Sequence, residues 1–300
     1  MLKLGQQPII FSDLDGTLLD HNDYSTDAVE PVLKKLALLN VDVIPTTSKT
    51  FAELQFIMPQ LGLNTPFIVE NGAAVFIPKP KLETKYKNKT NTALMNQPEG
   101  TESIQDYWYK SFTQPRSHWQ TSIDQAKRQF EGCFSLMTEM SATQVAELTG
   151  LTEEEAQRAL QRDYSEPVSW HGSVEQEQSF IEFMQQCSAT VLKGGRFLHI
   201  GGCAQKGIAM EWLMNVYQRD LLQQGDLLQK AEQQKDWFSI ALGDSGNDIS
   251  MLELADIAVR IRSEHHDFPI LSREQGVIDS DNYGPTGWAE CVNHILDLKQ

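Results

Sequence analysis

Short apolar runs, each closing on a polar tip, alternate with helical segments over the first 77 residues. Residues 8–11 read as a buried strand. Residues 26–39 place Val29, Val32, Leu33, Leu36 and Leu39 at helical spacing. A second strand at 41–44 ends in Thr46-Thr47-Ser48, a helix follows at 51–61, and a third strand at 67–69 precedes Glu70-Asn71-Gly72. Strands separated by helices of this length predict βαβ units and a parallel sheet.

The first strand runs into FSDLDGTLLD at residues 11–20, where Asp13 and Asp15 sit one residue apart. Ionised carboxylates at the end of a buried strand are costly unless something pairs them. A polar turn built on Asp-Gly would explain them blandly. A calcium loop of the EF-hand type would not, because its sixth and twelfth positions need Gly and Glu and hold Leu18 and Tyr24. The third reading is a catalytic metal site. Asp13 and Asp15 alone do not choose between the turn and the site.

Composition narrows the field. With 300 residues, 40% hydrophobic and 22% charged, the chain can bury a sizeable core, and its length suggests two domains. A formal charge of −16 argues against nucleic acid or an anionic membrane surface as partner. The four cysteines show no CxxC spacing, which fits free thiols in a reducing compartment. No apolar run approaches the ~18 residues of a membrane span, and the N-terminus lacks a signal-peptide stretch. A cytoplasmic protein is the expectation.

After residue 77 the texture changes. Residues 78–103 are rich in Pro, Lys, Asn and Thr, with five lysines in 79–89, and read as a connection leaving the first domain by a solvated hairpin. Residues 141–161 form two short helices, each opened by a capping box, Ser141 with Gln144 and Thr152 with Glu155. The shape is that of a helix-turn-helix, but one Arg against four Glu is wrong for a phosphate-lined groove. Strands at 167–170 and 189–192 flank a helix near 174–187, and Lys193-Gly194-Gly195 turns into a strand at 196–200. Past Gly202 the strand–helix alternation resumes, with a Gln-rich polar loop at 223–235. The expected division is a core of 1–79 and 203–300 interrupted by an α+β insert at 80–202.

Residues 241–252, ALGDSGNDISML, repeat the opening theme: an apolar strand, then Asp244 and Asp248 four apart with Asn247 beside them. Ligands of open α/β sheets bind beyond the carboxyl ends of the strands, where both acidic clusters and Thr46-Thr47-Ser48 lie. Carboxylates converging there repel one another unless a hard cation sits among them, and oxygen-only ligands favour Mg²⁺.

DLDGTLLD, Thr47 at a strand end, Lys206 opening a helix and GDSGND together resemble the four motifs of haloacid-dehalogenase-like phosphatases, in the right order. The resemblance implies a Rossmann-like parallel-sheet core, an inserted α+β cap domain between the second and third motifs, and magnesium dependence. More locally, TSKTFAEL (47–54), IVENGAAVFIP (68–78), RDYSEPV (162–168) and GGRFLHIGG (194–202) resemble mannosyl-3-phosphoglycerate phosphatases, across core and cap. Segments 78–103 and 223–235 look like unshared insertions.

On this resemblance Asp13 is the nucleophile that takes the phosphoryl group, and Asp15 the general acid and base. Mg²⁺ is expected at Asp13, the Asp15 backbone carbonyl and Asp244, with Asp248 beside it through water or orienting Lys206. Thr47 and Lys206 are expected on the phosphoryl oxygens. Lys49, Arg162, Arg196 and His199 are candidates for the remaining anionic group of a small phosphorylated sugar acid, and Asn71 and Glu166 for its hydroxyls. Each cap residue also has a structural reading, as a lone His in a strand usually does. A glucosyl-phosphoglycerate, sucrose-phosphate or general sugar-phosphate phosphatase is the rival on the same core, a phosphomutase is disfavoured, and a catalytically silent binding protein is the rival from another class. Nothing in the residues speaks to oligomeric state.

Overall fold

The computed structural model describes residues 6–21, 24–79, 96–193, 197–224 and 236–296. In chain order its elements begin with β1 (Gln6–Ser12), α1 (Glu30–Leu38), β2 (Asp42–Pro45), α2 (Phe51–Gln60), β3 (Phe67–Val69), β4 (Ala74–Pro78), β5 (Glu102–Ile104) and β6 (Tyr107–Ser111). They continue with α3 (Gln120–Gln129), β7 (Phe134–Leu136), α4 (Ala142–Thr149), α5 (Glu153–Ala159), β8 (Glu166–Trp170), α6 (Val174–Gln186), β9 (Thr190–Lys193) and β10 (Leu198–Gly201). The last are α7 (Lys206–Gln224), β11 (Asp236–Gly243), α8 (Ile249–Leu254), β12 (Ile257–Arg262), β13 (Val277–Tyr283) and α9 (Gly284–Ile295). The chain is mixed α/β and divides into two compact units. The first holds Met1–Thr47, Met58–Lys110 and Gln205–Gln300; the second holds Ser48–Ile57 and Ser111–Ala204.

In the first unit, five parallel strands form one sheet in the order β13-β12-β11-β1-β2. Its central strands are buried on both faces: Ile9, Ile10, Phe11, Ile240, Ala241 and Leu242 are fully enclosed. That is the burial a parallel sheet needs, and it explains why these strands read as continuous apolar runs rather than alternating ones. β1 lies between β11 and β2, with Ser12 paired to Leu242 on one side and Pro45 on the other. The residues just past these ends are therefore brought side by side.

The third strand has two neighbours. β3 pairs antiparallel with β4 in a second sheet of order β3-β4-β6-β5, and it runs parallel to the chain leaving β2, through a bridge from Ile68 to Thr46 and a bond from Thr47 N to Ile68 O at 3.0 Å. The cause of the antiparallel pairing is local. Glu70, Asn71 and Gly72 all have positive φ, which turns the chain straight back into β4 instead of letting it cross over. Residues 96–110 likewise stay with the first unit, where β5 and β6 make a hairpin. The sequence reading starts the insert at residue 80. The lysine-rich residues 80–95 and the Gln-rich residues 225–235 lie outside the described residues.

In the second unit, an antiparallel sheet of order β7-β8-β10-β9 carries α3 and α6 against a core that includes Trp119, Ile123, Phe130, Val168, Phe180 and Met184. The two capping boxes both form, Ser141 with Gln144 and Thr152 with Glu155, and Gly150 ends α4 at φ 80°. This α4–α5 pair packs on its own apolar cluster of Met137, Val145, Ala156 and Ala159. β9 and β10 pair antiparallel, and residues 194–196 between them lie outside the described residues.

Candidate active site

Asp13 leaves β1 with its amide donating to the Leu242 carbonyl at 2.9 Å, so the ladder to β11 continues one residue past the strand. Behind it, the Trp288 indole of α9 donates to Ser12 Oγ at 3.0 Å, and that hydroxyl donates to the Asp13 carbonyl at 2.7 Å. The chain then folds back through Asp15, Gly16 and Thr17, with Leu19 N donating to Leu14 O at 2.8 Å and Gly16 N to Leu19 O at 2.9 Å. Gly16 has φ 75°, and a Cβ there would stand 3.0 Å from Asp244 Oδ2, so glycine is required both for the turn and for the approach of that carboxylate.

Lys206, the first residue of α7, is fully buried. Its ammonium donates to Asp13 Oδ1 at 2.7 Å and to Asp248 Oδ1 at 2.6 Å. The other oxygen of Asp248 accepts from the backbone amides of Asp244 at 3.1 Å and Ser245 at 3.0 Å. Asp248 therefore ties the lysine to the loop that carries Asp244. Gly243 makes this possible, since a Cβ there would lie 2.5 Å from the Asp248 side chain.

Three buried acids, Asp13, Asp244 and Asp248, offer carboxylate oxygens within 4.8 Å of one another. One ammonium cannot neutralise three carboxylates, and unpaired buried charge is expensive. The titration behaviour follows. Burial, then Asp248 and Asp15, push Asp13 up to about 7 against the opposing pull of Lys206. Burial, then Asp13 and Asp248, push Asp244 up to about 8. Burial would lower the Lys206 ammonium, but Asp13 and Asp248 outweigh it and hold its pKa above the ordinary value. The donor set is all oxygen and carries surplus negative charge, which fits a hard divalent cation such as Mg²⁺.

Thr47 is fully buried; its amide donates to Ile68 O at 3.0 Å and its carbonyl accepts from Asn71 N at 2.9 Å. Asn71 in turn accepts at Oδ1 from Asn247 Nδ2 at 3.0 Å. The left-handed turn after β3 thus links the Thr47 strand end to the GDSGND loop. Gly72 (φ 95°) seats this turn on the start of α7, where an added Cβ would meet Gln205 O at 2.2 Å.

The remaining expected site residues belong to the second unit. Arg162 is buried and donates to Ser48 O at 2.8 Å and Ser165 Oγ at 3.0 Å. Lys49 is buried, 3.9 Å from Glu53 Oε1. His199 has a buried Nδ1 and is pushed down to about 3, by burial first and then by Arg162. Glu166, a candidate for substrate hydroxyls, is fully buried and accepts from Thr138 N at 3.1 Å, Thr138 Oγ1 at 2.6 Å and Arg116 Nη1 at 2.9 Å. Arg196 lies outside the described residues. The sequence reading passed over Arg116, Thr138, Ser12, Trp288 and His266, whose partners lie far away in the chain; only a fold could bring them together.

Among known proteins, a family model described as haloacid dehalogenase-like hydrolase matches residues 10–160. A glucosyl-3-phosphoglycerate/mannosyl-3-phosphoglycerate phosphatase of Methanococcoides burtonii is 31% identical over 292 residues, covering 97% of this chain and 96% of the relative. One from Persephonella marina is 30% identical over 295 residues, covering 96% and 97%. Among solved structures, a phosphatase of the haloalkanoate superfamily from Bacteroides thetaiotaomicron superposes with a TM-score of 0.61 at 17% identity, over 98% of this chain and 97% of that one. The sucrose-phosphatase of Synechocystis sp. PCC6803 does so at 0.56 and 15%, over 96% and 98%. Such distant structures speak for the fold alone. The near-full-length relatives and the matched model speak for more: the chain belongs to the haloacid dehalogenase-like hydrolases.

Proposed function

We propose that this phosphoric monoester hydrolase removes the phosphate of mannosyl-3-phosphoglycerate, giving mannosylglycerate, with Asp13 as nucleophile. The observation that carries the mechanism is the 2.7 Å approach of the Lys206 ammonium to Asp13 Oδ1, which favours the ionised nucleophile in a buried setting. An Asp13 oxygen forms a bond to phosphorus as the ester P–O bond breaks, leaving an aspartyl-phosphate. Asp15 gives its proton to the departing alkoxide, then takes one from the water that attacks phosphorus and returns Asp13 as a carboxylate. Thr47 and Lys206 donate to the phosphoryl oxygens.

Asp13, the Asp15 carbonyl and Asp244 would hold Mg²⁺, and Asp248 orients Lys206. When bound, the cation supplies charge neutralisation for the carboxylates and the phosphoryl oxygens. Choice of sugar and glycerate is assigned to Lys49, Arg162, Arg196 and His199 for the carboxylate end, and to Asn71 and Glu166 for the hydroxyls.

The relatives' names carry both sugars, so the glucosyl compound is the second substrate considered. Phosphate release should be measured with both phosphoglycerates and a set of hexose phosphates, with and without Mg²⁺. Turnover confined to the glycosyl phosphoglycerates and dependent on Mg²⁺ supports the reading. Turnover of hexose phosphates alone removes it.

A further inference from the structure

The loop after β12 brings a histidine to the acidic cluster. His266 Nε2 lies 3.3 Å from Asp244 Oδ2, and its Nδ1 lies 3.1 Å from the carbonyl of Asp267. The imidazole thus lies with Nδ1 beside its own backbone and Nε2 directed at a carboxylate. The loop is itself tethered. The next residue back, His265, packs on His21 of the turn that follows DLDGTLLD, with ring centroids 4.3 Å apart. On its other flank the same Asp244 oxygen is walled by Gly16. Asp244 is nearly buried while His266 is 40% exposed in its side chain, so the histidine covers the solvent side of that carboxylate. His266 stands on no motif, and the mechanism above leaves it without a task.

We propose that His266 is a positioning residue for Asp244. Through the Nε2–Oδ2 contact it selects one orientation of a carboxylate that Asp13 and Asp248 repel, and so sets the affinity of the site for a divalent cation. This rests on the reading of Asp13 and Asp244 as metal ligands. A ligating carboxylate whose outer oxygen is hydrogen-bonded loses less freedom on binding, and removing such a partner commonly weakens metal binding about 10–100-fold. The imidazole does not reach the reacting phosphorus in this scheme. Turnover with the metal site filled should therefore change little.

Mg²⁺ binding to the full chain, by titration calorimetry, separates the possibilities. His266→Ala should raise the Mg²⁺ Kd by about 10-fold or more, with kcat at saturating Mg²⁺ within about twofold of the parent. His266→Gln, whose side-chain amide can still donate to Asp244, should recover most of the lost affinity. An unchanged or lower Kd in His266→Ala overturns the proposal, as does a Gln variant no better than the Ala variant. Asp244→Asn in the same experiment tests the underlying reading. If Asp244→Asn weakens Mg²⁺ binding and His266→Ala does not, only the role of His266 fails; if Asp244→Asn has no effect, the metal site itself fails.

Discussion

Lys206 and Asp13 are 193 positions apart in the chain and 2.7 Å apart in space, and the same ammonium reaches Asp248 at 2.6 Å. The first strand, the start of α7 and the loop after β11 are thereby joined at one fully buried nitrogen.

Replacing that nitrogen should cost both activity and stability. Lys206→Met strands Asp13 and Asp248 as uncompensated buried charges, a change of the kind that destabilises by ~3–5 kcal/mol. Loss of a preorganised donor to the phosphoryl group should lower kcat by about 10²–10³. Urea denaturation and phosphate release check the two. Lys206→Met with Asp248→Asn should regain part of the stability and none of the activity. A single variant with wild-type turnover contradicts the assignment.

The cation and pH should be linked, with a definite sign. Asp13 and Asp244 are raised in the folded state from the usual carboxylate range to about 7 and about 8. The folded chain then binds more protons than the unfolded one between about pH 4 and pH 8, so stability falls as pH rises through that window. In calorimetric melts with EDTA, Tm should drop from pH 5 to pH 8, less steeply in Asp244→Asn. Mg²⁺ should raise Tm more at pH 8 than at pH 5, where it must displace protons. A Mg²⁺ effect independent of pH contradicts this.

How much of this was legible follows from how far apart the partners are. DLDGTLLD and GDSGND announce themselves because each carries its acids directly after an apolar strand, and parallel packing of β1 beside β11 makes their ends converge. Lys206 is readable as a helix start. β3 lies where the sequence puts it, at 67–69, but its antiparallel pairing with β4 is not legible, because a three-residue strand has no periodicity and Glu70 is not a type expected at positive φ. The bonds that hold Glu166 are not legible in the sequence, because its partners Thr138 and Arg116 lie 28 and 50 residues away. The 276-residue reach from Trp288 to Ser12 has no local signature at all.

The bonds to Glu166 can be tested for their contribution to stability. Glu166→Ala removes the acceptor of Thr138 N, Thr138 Oγ1 and Arg116 and should destabilise by ~3 kcal/mol or more. Glu166→Gln should cost less, since one amide oxygen remains. Hydrogen exchange should show the loss in the second unit's sheet, β7-β8-β10-β9. An unchanged denaturation midpoint would remove that contribution.

Gly72 should tolerate no side chain. At φ 95°, with a Cβ only 2.2 Å from Gln205 O, Gly72→Ala forces the start of α7 to shift. Because Lys206 is the next residue, kcat should fall together with Tm. A variant that loses Tm at full kcat would show that α7 and the turn are not coupled.

The most direct measurement is an acid quench during turnover of ³²P-labelled mannosyl-3-phosphoglycerate, followed by peptide mapping. The account expects transient, hydroxylamine-labile label on the peptide containing Asp13, and no label or turnover in Asp13→Asn. Phosphate release without labelled protein, joined to full turnover by Asp13→Asn, would contradict it.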